Sequence, residues 1–316
     1  MSRGGFRGVR WLGALGLLLA VAGLSAVGLG LAGSSPALAS AQRAGTASAP
    51  PAWLALINRY RSATGLKPVA NNPAWDLGIK HHLRYLAKTP KKYFTGAYAS
   101  AHTENPASPY YTADGAREAG YSDLALGGVS NDVQAIDVWL RAPFHAVGML
   151  RAQLTQVALA VNSHTGYAGL DVIQGLNYGL PAATRPILFP GPGVTTNLLT
   201  YGGEEPSPLQ TCRWSQSATY GLPLILLLPA APAAHIHASV TGPQGTESTG
   251  NGKLCLVDEH TFRTTDKVYG PTGAAILHSD HAAFLIPRQA LSKGRYSVSV
   301  RQSGRPGIDW SFSAGR

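Results

Sequence analysis

Two histidines and two acids define the chemistry open to this chain. The stretch from 102 to 150 reads His102-Thr-Glu104, then Ala119-Gly120-Tyr121 and Asp123, and finally Trp139-Leu-Arg-Ala-Pro143-Phe-His145. Both histidines fall on loops or helix ends rather than within apolar stripes. Two neutral imidazoles beside a carboxylate can hold a divalent cation such as zinc, which makes His102 and His145 the candidate metal ligands. The same groups can act as a base with an orienting acid, Asp123 or Glu104. Spacing alone does not choose between these chemistries. Other histidines are weaker candidates. His82 sits at the centre of an apolar helix face and reads as a core histidine, and His81 points to solvent. His235 and His237 share one face of a strand, and His164, His278 and His281 stand in turns. There is no G-x-S-x-G elbow, no H-E-x-x-H pair and no phosphate-binding loop.

Helices must position the first part of this set. Trp53, Leu56, Ile57 and Tyr60 recur at helical spacing until Gly65 stops the pattern. A second helix is expected over Pro73–Lys88, with Trp75, Ile79, His82, Leu83 and Leu86 on one face. Residues 90–112 read as a loop, and Thr112 caps a short helix over 112–120. A further helix is expected over Asn131–Arg141, ended by Pro143. The period then changes: Val157–Val161 and Leu170–Ile173 flank Asn162–Gly169 as a hairpin. Helices first and strands last give an α+β reading.

These residues carry a resemblance. Asn58-x-x-Arg61 with Gly65-Leu-Lys-Pro68, His82 with Tyr85-Leu86, and the block His102…Ala119-Gly120-Tyr121…Trp139-x-x-x-Pro143-x-His145 together resemble the CAP (SCP-like) superfamily, in its bacterial branch, over residues 52–178. The resemblance implies an α-β-α sandwich with a cleft lined by two histidines and two acids. His102 and His145 match the two histidine positions. Asp123 stands where the bacterial branch has a Glu. Ala142 stands where eukaryotic members have the second Glu, and Ala146 where the bacterial histidine is usually followed by Arg. Glu104 and Glu118 are the acids available to compensate.

The remainder of the chain frames this domain. Charged residues are only 13% of 316, against 45% hydrophobic. Residues 1–39 carry Arg3, Arg7 and Arg10 before an uncharged run from Trp11 to about Gly33, then Ala37-Leu-Ala39: a cleaved export signal or an uncleaved membrane anchor. Residues 40–51 and the Pro/Gly-rich stretch 179–210 read as linkers. Over 211–316, short strands alternate with turns such as Gly242-Pro243, Asn251-Gly252 and Gly270-Pro271, which suggests an all-β Ig-like sandwich. Cys212 and Cys255 are the only cysteines. In an exported chain they are expected as a disulfide contributing roughly 4 kcal/mol on the chain-entropy model. The net charge of +10 favours anionic surfaces such as wall polymers or lipid headgroups. No nucleic-acid motif accompanies it, and membrane contact is expected only through an uncleaved N-terminal segment.

The sequence therefore predicts a secreted or externally anchored, non-enzymatic protein, binding a small apolar, lipid or cell-wall ligand in a histidine-containing cleft. The alternatives are an extracellular hydrolase of peptide or wall substrates, and a purely adhesive surface protein.

Overall fold

A computed structural model describes residues 49–315. The export signal or anchor of residues 1–39 and most of the first linker lie outside the described residues. In chain order the first half comprises α1 (Ala52–Ala63), β1 (Ala70–Asn71), α2 (Asp76–Lys88), α3 (Ala113–Tyr121), β2 (Ser122–Leu126), α4 (Asp132–Leu140), α5 (Pro143–Leu150), β3 (Gln156–Asn162) and β4 (Tyr167–Asp171). The second half comprises β5 (Ile187–Phe189), β6 (Thr195–Thr196), β7 (Leu224–Leu227), β8 (Ile236–Gly242), β9 (Gly245–Ser248), β10 (Leu254–Val257), α6 (Gly270–Ser279), β11 (Ala282–Pro287), β12 (Gly294–Gln302) and β13 (Ile308–Ala314). The fold class is α+β.

The first four strands form a sheet in the order β1-β3-β4-β2. Side-chain alternation gives it two buried faces. Ala158 and Ala160 of β3 pack with Ile79 and Leu83 of α2. Val157 and Leu159 turn the other way, into a core shared with Trp53 and Ile57 of α1 and Trp139 of α4. Helices α2 and α3 thus cover one face, and α1, α4 and α5 the other. Capping residues fix where the helices begin: the Thr112 hydroxyl accepts from Gly115 N and the Asn131 side chain from Gln134 N. Pro143 does more than end α4. It occupies the first turn of α5, a position at which its missing N–H costs nothing.

Arg61 explains the Asn58-x-x-Arg61 spacing. Its fully buried guanidinium donates to the carbonyls of Lys67, Met149, Arg151 and Leu154 at 2.7–3.1 Å, tying α1 to the exit of α5. Asn58 clasps Val69 through both its N–H and C=O. Burial pulls the Arg61 pKa down to about 10.

Two further sheets follow, ordered β10-β11-β7-β5 and β6-β13-β12-β8-β9. The Cys212–Cys255 disulfide is present, with Cα atoms 5.8 Å apart, and links a 3₁₀ turn at Pro208–Cys212 to β10. Residues 179–210, expected as a linker, are instead built into the body. They supply β5, which pairs with β7, and β6, which pairs with β13. One continuous core runs from Trp53 to Ala314, and the described residues form a single compact unit. The Gly270-Pro271 pair, read as a turn, opens α6, again with proline in the first helical turn. Helix α6 packs on β11 and on α5.

Candidate functional site

His102, Asp123 and His145 line one cavity of about 270 Å³. His102 comes from the loop before α3, Asp123 from the second position of β2, and His145 from the first turn of α5. The opposite side is supplied by the second half of the chain, through Pro206, Tyr269 and, from α6, Thr272 and Ile276. Phe144 and Val172 add apolar lining, and Arg151 a cationic side chain. Arg151 is held there by a two-pronged ion pair with Asp280, at 2.9 Å for each bond. Tyr269 is fixed at the rim: its hydroxyl accepts from Ala101 N at 3.0 Å, and its ring stands edge-on to His102.

The acid that partners His145 is Glu204. Its Oε2 lies 2.9 Å from His145 Nδ1, and its carboxylate also accepts from the Phe144 and His145 backbone N–H groups. Ala142, the residue before α5, has no side-chain oxygen with which to cap the helix. Glu204 performs that capping from sixty residues away and fixes the imidazole at the same time. The Glu204 side chain is fully buried. Burial alone would lower the His145 pKa. The Glu204 hydrogen bond and the Asp123 and Glu204 charges outweigh it and raise the pKa. Burial also raises Glu204, while His145 opposes that rise.

His102 and Asp123 are set differently. His102 Nδ1 donates to the Ala119 carbonyl at 3.1 Å. Burial, aided by the neighbouring His145 charge, pushes the His102 pKa down to about 4, so the ring is neutral at pH 7. Asp123 is pushed up to about 7, chiefly by burial, with Glu204 and Asp171 adding to the rise and His145 and Arg151 opposing it. Its Oδ2 is buried with no hydrogen-bond partner among the described residues. The cavity therefore combines a neutral imidazole, an imidazole held ready for protonation, and a carboxyl close to its midpoint at neutral pH.

One expectation needs correction. Glu104 does not reach the cavity. Its Oε1 lies 2.9 Å from Nδ1 of the buried His82, and its Oε2 accepts from Thr112 N, so it fastens α2 to the start of α3. His82 completes that network by donating to the Ala101 carbonyl. His102 and His145, the candidate zinc ligands, do share the cavity. Among the described residues, no group of three or more His, Cys, Asp or Glu is arranged to hold an ion; the Nδ1 atoms of both rings are engaged, which leaves each Nε2 as the ligand atom. Glu118 lies under α2 rather than in the cavity lining.

Glu204, Arg151, Tyr269 and Ile276 escape a reading of the sequence. The one available signal is the adjacent pair Glu204-Glu205 in a Pro/Gly stretch whose one other charged residue is Arg185. A family model described as CAP, the cysteine-rich secretory protein family, matches residues 54–177. No curated protein and no solved structure matches the chain.

Proposed function

Residues 54–177 are a CAP domain, and from that premise we propose that the chain is an exported binding protein, not an enzyme, taking a small, mainly apolar ligand in the His102–Asp123–His145 cavity. The observation that carries this reading is the character of the cavity. Phe144, Val172, Pro206 and Ile276 give it apolar walls, and its polar groups gather around Asp123 and His145. Apolar pockets with a few convergent polar groups are the usual form of small-molecule sites. At about 270 Å³ the space falls just below the usual range of such sites, which begins near about 300 Å³. It suits a small molecule, or the polar end of a longer lipid or wall fragment. The free Asp123 Oδ2 would accept a hydroxyl or acid proton from the ligand.

Export is supported by the basic and apolar N-terminal pattern and by the disulfide. The Ig-like reading of residues 211–316 is supported by two sheets within one core, whose strands from that range all pair antiparallel; β6, from before it, pairs parallel with β13. The disulfide runs from a 3₁₀ turn to β10, however, and α6 is inserted between strands.

The test is thermal denaturation of purified residues 49–316 with long-chain fatty acids, sterols and peptidoglycan fragments. A ligand at 100 times its Kd stabilises by about 2.7 kcal/mol, and His145→Ala should remove the shift. No stabilisation by any of the three classes would overturn the binding reading.

The Glu204–His145 pair favours a second reading, a hydrolase in which His145 is the base. In that case His145→Ala and Asp123→Asn would each abolish hydrolysis of peptide or wall substrates. Hydrolysis unaffected by either change would exclude it.

A further inference from the structure

On the other face of the first sheet, two carboxyl groups meet without a donor between them. Glu118 of α3 and Asp171 at the end of β4 are both fully buried. Asp171 Oδ1 accepts from the Ile173 and Gln174 N–H groups at 3.0 and 2.9 Å, and Glu118 Oε1 from Arg117 Nε at 3.3 Å. The remaining oxygens, Glu118 Oε2 and Asp171 Oδ2, are buried with no partner, and so is the Ser122 hydroxyl. Ser122 stands directly opposite Asp171 in the β2–β4 ladder, and alternation puts both side chains on the α2–α3 face.

We propose that Glu118 and Asp171 hold one proton between them, and that this shared proton is a latch on the cavity wall that opens when the proton is lost. Two ionised carboxylates at this depth would leave buried charge unpaired, which is strongly unfavourable. A single proton gives one carboxyl an O–H donor and the other a partner for its free oxygen. A calcium ion would need six to eight oxygens, and only three here lack partners. The surrounding charges do not replace the proton. Arg117 is half exposed and holds the far oxygen of Glu118, and Asp123 adds negative charge across the sheet. Where α2 packs on α3, the His81–Asp114 and His82–Glu104 pairs are internally matched. Burial first, and Asp171 second, raises the Glu118 pKa, and burial raises that of Asp171.

The pair connects to the cavity through the chain. Gly120, Tyr121 and Ser122 follow Glu118 closely, Val172 and Ile173 follow Asp171, and all five line the cavity. Tyr121 O and Val172 N join the two segments at 3.0 Å. A folded-state pKa above the unfolded value stabilises at low pH, and that stability is lost as pH rises from the ordinary carboxyl value of 4.5 through the raised one.

Amide exchange of residues 119–123 and 171–174, compared between about pH 5.5 and about pH 8.5 and corrected for intrinsic rate, tests the latch. Wild type should lose about tenfold in protection, and Glu118→Gln, which keeps a donor at every pH, should not. Identical profiles for the two proteins would overturn the proposal. So would calcium at millimolar concentration restoring alkaline protection in wild type only. Should Glu118→Gln fail to fold, infrared spectra of wild type with ¹³C-labelled glutamate decide the matter. A protonated-carboxyl band that fades over the same pH interval supports the latch, and its absence at the acid end refutes it.

Discussion

His145 Nδ1 and Glu204 Oε2, 2.9 Å apart, join a helix of the CAP domain to a segment beyond its end. The pair orients the one imidazole in the cavity whose pKa is raised above its ordinary value. Glu204→Gln keeps the shape but removes the charge. The His145 pKa should then fall, as followed by NMR titration of the imidazole protons. The added stability of the pair is present below pH 6.5 and fades as pH rises through the raised His145 pKa, so the variant should differ most from wild type on the acid side. Glu204→Ala should cost about 1–3 kcal/mol, because the first N–H groups of α5 lose their acceptor.

Asp123 should behave in the opposite sense. Its carboxyl is costly to ionise where it lies, with a pKa near 7 against an ordinary 3.8. Asp123→Asn removes that cost. Urea denaturation should show the variant gaining about 1–2 kcal/mol on wild type at about pH 8, and little at about pH 4. A variant less stable at both pH values would show that the carboxylate is a structural partner.

Arg61 predicts that one conservative change is not conservative. Its planar fork reaches four carbonyls, and a lysine ammonium offers three donors from one point. Arg61→Lys should destabilise by about 2–4 kcal/mol, with amide protection lost first at residues 149–154. A change below about 0.5 kcal/mol would contradict this.

The disulfide should act on stability and leave the cavity alone. Cys212 and Cys255 are absent from the cavity lining. Replacing both with serine should cost about 2–4 kcal/mol in reversible unfolding while leaving ligand-induced stabilisation unchanged in size.

The first half of the fold is largely legible because its signals are local. Thr112 and Asn131 announce helix starts, and the switch from helical to alternating period marks the β3–β4 hairpin about Asn162–Gly169. His82 reads as a core residue from its helical face, and it is buried. The proline signals are two-sided. Pro143 and Pro271 look like breakers, yet each starts a helix, since a first-turn residue needs no N–H. Glu204 is illegible for a different reason. Its role depends on a fold-back from a Pro/Gly stretch onto α5, and no local pattern encodes a contact across sixty residues. The same holds for Glu104, which spacing groups with His102 but which the fold turns toward His82.

Helix α6 and the segment around Glu204 close the cavity from outside the CAP domain, and this bears on how such a chain can evolve. Domains are often treated as exchangeable parts. Here a recombination that moved residues 54–177 into another gene would leave behind the acid that orients His145, the ring against His102 and the carboxylate that holds Arg151. The two halves are therefore expected to be inherited together and to vary together. Swapping the C-terminal half should retune what the site accepts without altering a residue of the CAP domain.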